Sequence, residues 1–568
     1  MKKLKGRTLT LIIALCLLGS ILAGCGTTPS ATTNPAESLA PGTTAAPENE
    51  GSGKNVEHLI IGTTAGNTSF SSVSQADAFG RMNYVCFTQG NFVYRDANNV
   101  LQPYFFQSFE ISEDGKKIDF TIPLDAVWHD GEPVTAEDVI FSFEFMRDVR
   151  KVGSLYNLES INQLTEDSFE LVFSKPDAYY WINSSCMNNS SVFPKHIWEN
   201  IDDPATYTGE DAAIGCGPYK LVSKDEDAQS SYYEAVHENE YAGPITVEAV
   251  TLQTYSGEDT LMMAMMSGEI DAMFNYANPI DSTIIDTMHG IEDIDLGESD
   301  YSGNHQLTYG MERAPGNDLA FRQAVCLALD YTQLGTTING DYAKAPGAGI
   351  IPPTAKGHDP SLPVLQQDIE AAKKILDDAG YIDTNSDGYR EFPDGSEMVV
   401  LVTPQFSASQ DLRNRIADVI MDSLSKVGIQ TKIDESSLAS SEVWEANVVD
   451  GKYDLMIGYT TTGMAAYSSA FRYFLADARE GDTSWIWGTY HNDEFRDTLY
   501  AMQEAISEEE YLSNVKKLQQ MASDEVFAQA LSWETAFFPY RTDKYEGWDN
   551  YPSWGVIHPR TWHELTQK

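Results

Sequence analysis

Between Glu397 and Thr460 the chain switches hydrophobic period twice. Met398 to Val402 is a continuous apolar run and reads as a buried strand. Leu412, Ile416, Val419, Ile420, Leu424 and Val427 then recur three and four residues apart, the repeat of one helix face. Gly428 ends that helix, and "IQTKI" from Ile429 opens a second strand. A strand, helix, strand unit of this length predicts a parallel pair joined by a right-handed crossover. A further helix over 441–449 leads into another strand, "YDLMIGY", from Tyr453 to Tyr459. Near the start, "HLIIGTT" (58–64) reads as a buried strand, and "ITVEAVTLQT" (245–254) as a strand followed by a helix over 257–267. The predicted class is therefore α/β. The chain is too long for one core, and two lobes are the natural division. Open α/β sheets bind ligands in the crevice beyond the carboxyl ends of their strands. Thr64, Asn67, Phe70, Gln405, Tyr459, Thr460 and Thr462 lie at those ends and are the candidate ligand contacts.

The first residues have a different pattern. Lys2, Lys3, Lys5 and Arg7 precede an apolar run from Leu9 to Leu18, and Leu22-Ala23-Gly24-Cys25 follows. The run is too short for a comfortable membrane span and reads as a signal peptide. A small-residue cleavage site just before a cysteine resembles the bacterial lipobox, which makes Cys25 the expected site of lipidation. Residues 26–54 contain no aromatic residue and are mostly Thr, Ala, Pro, Gly, Ser and acid. Such a segment buries too little apolar surface to order itself, and as a coil it reaches on the order of 30 Å. The expected arrangement is a monomeric body on a lipid leash at the outer face of the cytoplasmic membrane.

Charge and cysteines narrow the function classes. The chain carries 85 acidic against 37 basic residues, a formal net charge of −48. That balance argues against nucleic acid and against docking on anionic lipid. Cys86, Cys186, Cys216 and Cys326 are widely spaced, with no CxxC and no Cys/His pairing at zinc spacing. One or two disulfides and small buried thiols are both compatible with that spacing. "WHDGEPVTAEDV" (128–139) sets a histidine beside acids, yet has a structural account: Asp130-Gly131 is a turn pair, Thr135 an N-cap, and Asp138 closes a capping box.

"VWHDGEPVTAEDVIFSFEFM" also resembles the signature of the family 5 extracellular solute-binding proteins, the oligopeptide- and dipeptide-binding group of ABC importers. "VFPKHIWEN" (192–200), "IGCGPYKLV" (214–222), "MSGEIDAMF" (266–274), "LAFRQAVCLALDY" (319–331), "DIEAAKKILDDAGYIDTNSDGYREFPDG" (368–395) and "GKYDLMI" (451–457) look like the same family in the same order. The resemblance implies a two-lobe binding protein that closes over a solute and delivers it to a membrane permease. Beyond the signal peptide over 1–25 and the tether over 26–54, it implies a first lobe over 55–312 to which 533–568 returns, and a second lobe over 313–532. The expected hinges are 313–318 and 532–539. Peptide-binding members hold the ligand's amino terminus with an aspartate in the loop after "YDLMIGY", and here no acid occurs between Asp454 and Asp477. A peptide would then be held by another acid reaching the cleft, such as Asp477 or Asp482, or by backbone pairing in extended form.

Family members also line the cleft near "SWIWGTYHN" (484–492), which adds Trp485, Trp487 and Tyr490 to the candidates, with core or lid packing as the alternative for each. Rings and amides suit an uncharged oligosaccharide, the slightly favoured ligand, with peptide as the alternative. No catalytic residue and no cofactor are expected, since G-x-S-x-G, H-E-x-x-H, Walker and Rossmann patterns are missing from the sequence. A surface glycoside hydrolase, which needs only two placed carboxylates, is the rival class. Asp383-x-Asn385-x-Asp387-Gly388 resembles a calcium loop, but Asp394 stands at position twelve where a glutamate is usual, and a strand follows where a helix should. No metal is therefore expected there.

Overall fold

The computed structural model describes residues 54–66, 71, 73, 87–97, 100–150, 155–184, 191–275, 280–300, 303–353, 355, 357–406, 410–461, 471–477, 488–551 and 555–568. Two sheets organise it. The first has seven strands in the order Ile294–Asp295, Tyr540–Arg541, Ala272–Met273, Leu59–Thr63, Ala249–Thr254, Ser230–Ala235, Tyr219–Asp225. Leu59–Thr63 runs parallel to both of its neighbours, as an apolar strand covered on both faces does. Helix Glu258–Ser267 follows Ala249–Thr254, as the pattern predicts, and ends on Gly268 at φ 76°.

The second sheet has five strands, in the order Gln430–Ile433, Val399–Pro404, Leu455–Thr461, Gly303–Tyr309, Ala528–Ala530. Val399–Pro404 is parallel to both of its neighbours, and helix Gln410–Ser425 is the crossover between Val399–Pro404 and Gln430–Ile433. Ile416, Val419, Ile420 and Leu424 are buried on one face of that helix, as its apolar repeat predicts. Gly428 follows it at φ 78°, a conformation that favours glycine.

A four-stranded antiparallel sheet over 108–173 and helix Ala136–Glu144 complete the first lobe. That helix opens with the expected capping box: the Thr135 side chain accepts from Asp138 N, and Asp138 Oδ2 accepts from Thr135 N at 2.8 Å. His129 is likewise structural. Its Nδ1 accepts from Gly215 N at 3.2 Å and its Nε2 donates to Gly217 O at 3.0 Å, while desolvation pushes its pKa down to about 4.

The chain leaves the first sheet and returns to it at one place. There Ser299–Asp300 pairs antiparallel with Thr535–Ala536. Gly303–Tyr309, which precedes Glu312, is a strand inside the second sheet. The lobes also meet at a rim: Lys175 pairs with Glu504 at 3.1 Å, and the rings of Tyr179 and Tyr511 lie 5.9 Å apart. Among the described residues no helix is long and apolar enough to cross a membrane.

Candidate functional site

Around the carboxyl ends of Leu59–Thr63 and Ala272–Met273 the polar groups of Thr63, Thr64 and Asn275 are neutral. Asn275, just beyond Ala272–Met273, accepts on Oδ1 from Thr63 Oγ1 and from Thr64 N, both at 2.8 Å. Asn275 is buried, and its Nδ2 has no hydrogen-bond partner among the described residues. Thr64, a predicted contact, is thus held in place by a side chain that sequence reasoning did not single out.

The second sheet presents charged groups instead. Gln405 follows Val399–Pro404, donates from its N to Ile457 O at 2.8 Å and accepts on Oε1 from Tyr459 N at 3.1 Å. Two predicted residues are therefore joined directly. The Tyr459 ring stands edge-on to His305, with centroids 5.0 Å apart, and packs against the first lobe's core. The Thr460 backbone pairs with Asn304 in the next strand. Beneath them His305 donates to Glu534 Oε1 twice, from its backbone N and from Nδ1, each at 2.9 Å. Both side chains are buried, at 6% and 5% exposure. Arg413, in the first turn of helix Gln410–Ser425, is also buried, and its Nη1 donates to Gln405 O at 3.4 Å. Desolvation lowers its pKa to about 10, against the opposing influence of Tyr459 and Glu534.

Sequence reasoning missed Glu534 and Arg413, although a signal for each exists. Arg413 precedes Ile416 by three residues and so occupies the apolar stripe of its helix. Glu534 is a lone acid in "ALSWETAFF". A charge at a position whose neighbours are buried asks for a partner.

A cavity lies across the second sheet from His305, against the face opposite Leu307 and Tyr309. Gln306, Thr308, Met456 and Tyr459 line it from the sheet, and Trp444 and Tyr473 cover it; with the solvent at its mouth it encloses about 270 Å³.

Tyr490 belongs elsewhere. Its buried ring stacks on Phe527 at 4.4 Å and its hydroxyl accepts from Asn492 Nδ2 at 2.8 Å, the core packing weighed as its alternative. Asn67, Phe70, Thr462, Trp485, Trp487 and Cys25 lie outside the described residues, as does Asp482. Asp477 is exposed and bonded to His491 Nδ1 at 2.8 Å. Cys216 and Cys326 are free thiols; Cys86 and Cys186 lie outside the described residues.

The turn at 383–391 is self-contained. Asp383, Asp387 and Glu391 bring carboxylate oxygens within 4.8 Å of one another. Asp383 accepts from Ser386 N and Gly388 N, and Glu391 from Thr384 N, so these acids already serve the loop's own donors. Asp394 takes no part, since its carboxylate accepts from Ser396.

The chain matches the family described as bacterial extracellular solute-binding proteins, family 5 Middle, over residues 100–482. It is 23% identical to the dipeptide-binding protein of Escherichia coli over 358 residues, 58% of this chain and 62% of that protein. The chain spans about 60% of the length of the curated relatives it matches. Among solved structures it is similar to the oligopeptide-binding protein AppA of Bacillus subtilis in complex with a nonapeptide, with TM-score 0.69 and 17% identity, covering 91% of this chain and 100% of that one. It is also similar to a mannohexaose-bound oligopeptide-binding protein of Thermotoga maritima, with TM-score 0.71 and 22% identity, covering 90% and 99%. The two sheets, the paired strands that link them and this match identify the fold as the two-lobe periplasmic-binding-protein type, and the chain belongs to the family 5 extracellular solute-binding proteins.

Proposed function

We propose that this protein is a receptor, anchored through Cys25, that captures a peptide-like solute outside the cell and hands it to the permease of an ABC importer. One observation carries the choice of ligand: the buried Glu534 and Arg413 at the strand ends, where the sequence suggested only hydroxyls, amides and rings. A buried acid and a buried base at the strand ends complement an amine and a carboxylate better than a neutral sugar, which offers neither charge. The relatives that bind dipeptides and oligopeptides support the same ligand class.

The lobes in this reading run from 55 to 300 with 535–568, and from 303 to 534. They close about the paired strands Ser299–Asp300 and Thr535–Ala536. Ligand contacts both lobes only when they are closed, so binding shifts the population toward the closed form that the permease recognises. An oligosaccharide is the second reading, favoured by the neutral Thr64, Asn275 and Gln405 and by the mannohexaose-bound neighbour.

A thermal-shift panel of short peptides and oligosaccharides on the purified protein separates the two readings. A ligand at 100 times its dissociation constant adds about 2.7 kcal/mol of stability. Shifts with peptides support the first reading, and shifts with sugars alone replace it with the second.

A further inference from the structure

The loop after Leu455–Thr461 lacks the acid expected to hold a ligand's amine, and Asp477 is engaged by His491 at the surface. The geometry points to Glu534 as the residue that takes this role: its carboxylate is the counter-charge for an ammonium group of the bound solute, which makes it a specificity-determining residue. That role rests on the peptide reading above and names the group of the ligand that Glu534 recognises.

The hydrogen bonds of this carboxylate are incomplete. Glu534 is 5% exposed, yet only Oε1 is occupied, by His305 N and His305 Nδ1. Oε2 makes no hydrogen bond among the described residues. A carboxylate offers about four acceptor positions, and Oε2, which is not among the fully buried atoms left without a partner, keeps its positions for a donor arriving from the solvent side. The charged and titratable groups facing it are His305, Arg413 and Tyr459. His305 uses its Nδ1 proton on Oε1, and the Arg413 guanidinium donates to Gln405 O.

The position of Glu534 points the same way. It immediately precedes Thr535–Ala536, the returning strand between the lobes, and its partner His305 lies just after the outgoing one. Tyr459, packed on the first lobe's core, borders the same spot. The carboxylate therefore lies beside the crossing between the lobes, where a ligand held by both would reach it. Its tie to His305 N fixes the carboxylate before the ligand arrives, so little ordering is left to be done on binding.

The test uses wild-type protein, Glu534→Gln, and two probes: an equimolar tripeptide library with free amino termini and the same library N-acetylated. Native mass spectrometry reads the captured peptides, and calorimetry on the best of them gives the affinity. The amide introduced by Glu534→Gln retains an oxygen that accepts from His305 N, and the acetylated library tests the proposal on wild-type protein alone if the variant folds poorly. The expected result is capture of the free-amine library, with acetylation weakening binding about 10- to 100-fold. Glu534→Gln should weaken the free-amine peptides by a similar factor and leave acetylated ones unchanged. Equal capture of both libraries by wild type would overturn the role of Glu534 and leave the peptide reading standing. Capture of neither library, with binding of oligosaccharides, would overturn both.

Discussion

The two sheets end differently where they face each other. On the first, Thr63, Thr64 and Asn275 form a neutral network of hydroxyl, amide and backbone. On the second, Glu534, His305 and Arg413 place charge in nearly dry surroundings. The difference teaches which lobe discriminates. Neutral hydrogen bonds contribute about 1 kcal/mol each and tolerate many partners, whereas a buried charge penalises any ligand that lacks its complement. On the peptide reading, the first lobe positions the solute and the second selects it.

Removing the charged anchor should have the largest effect. Glu534→Ala leaves the buried His305 N and Nδ1 without their acceptor, and urea unfolding should show a loss of about 3 kcal/mol. A loss below about 1 kcal/mol would mean the pair does not anchor the strand and would erase the contrast. Asn275→Ala on the neutral side removes the acceptor of Thr63 Oγ1 and Thr64 N; with water able to replace one of them, about 1–2 kcal/mol is expected from the same measurement. Next comes the rim where the lobes meet. Lys175 and Glu504 are 40% and 29% exposed, so Lys175→Ala should weaken ligand affinity by about five-fold or less in calorimetry. A larger effect would move selection from the strand ends to the rim.

The smallest effect is one of pH, and its sign differs between the buried histidines of the first lobe and the ion-paired His491. In the first lobe, burial lowers the pKa values of His129 and His563 to about 4 and that of His558 well below the ordinary value. The unfolded chain then binds protons that the folded one refuses at these three residues, so their burial costs stability as pH falls from about 6.5 toward 4. His491 in the second lobe is shifted the other way: hydrogen bonds to Asp477 and Glu312 raise its pKa. Its contribution is fully present below about 6.5 and is lost as pH rises through the raised value. His491→Gln should therefore lower the melting temperature more at pH 6 than at pH 8. An equal drop at both would show that the Asp477 contact is not ionic.

Hydrophobic period alone determined much of this protein. The strand, helix, strand unit over 397–433, the buried strand at 59–63 and the capping box at Thr135 and Asp138 follow from local spacing, because a helix face or a strand interior is a property of neighbours in sequence. The order of family segments was equally legible, and with it the fold. Gln405, Tyr459 and Thr460 do lie toward the ends of their strands, since a strand's terminus is itself a local feature. Tertiary structure decided the rest. Gly303–Tyr309 is buried along its whole length, and only pairing with Leu455–Thr461 assigns it to the second sheet. Tyr490 sits beside the candidate tryptophans in sequence, yet Phe527 claims its ring. Glu534 and His305 are separated by 229 positions and become one group only when both crossings of the chain are laid side by side, because a buried charge finds its partner through space and the chain order carries no record of that distance.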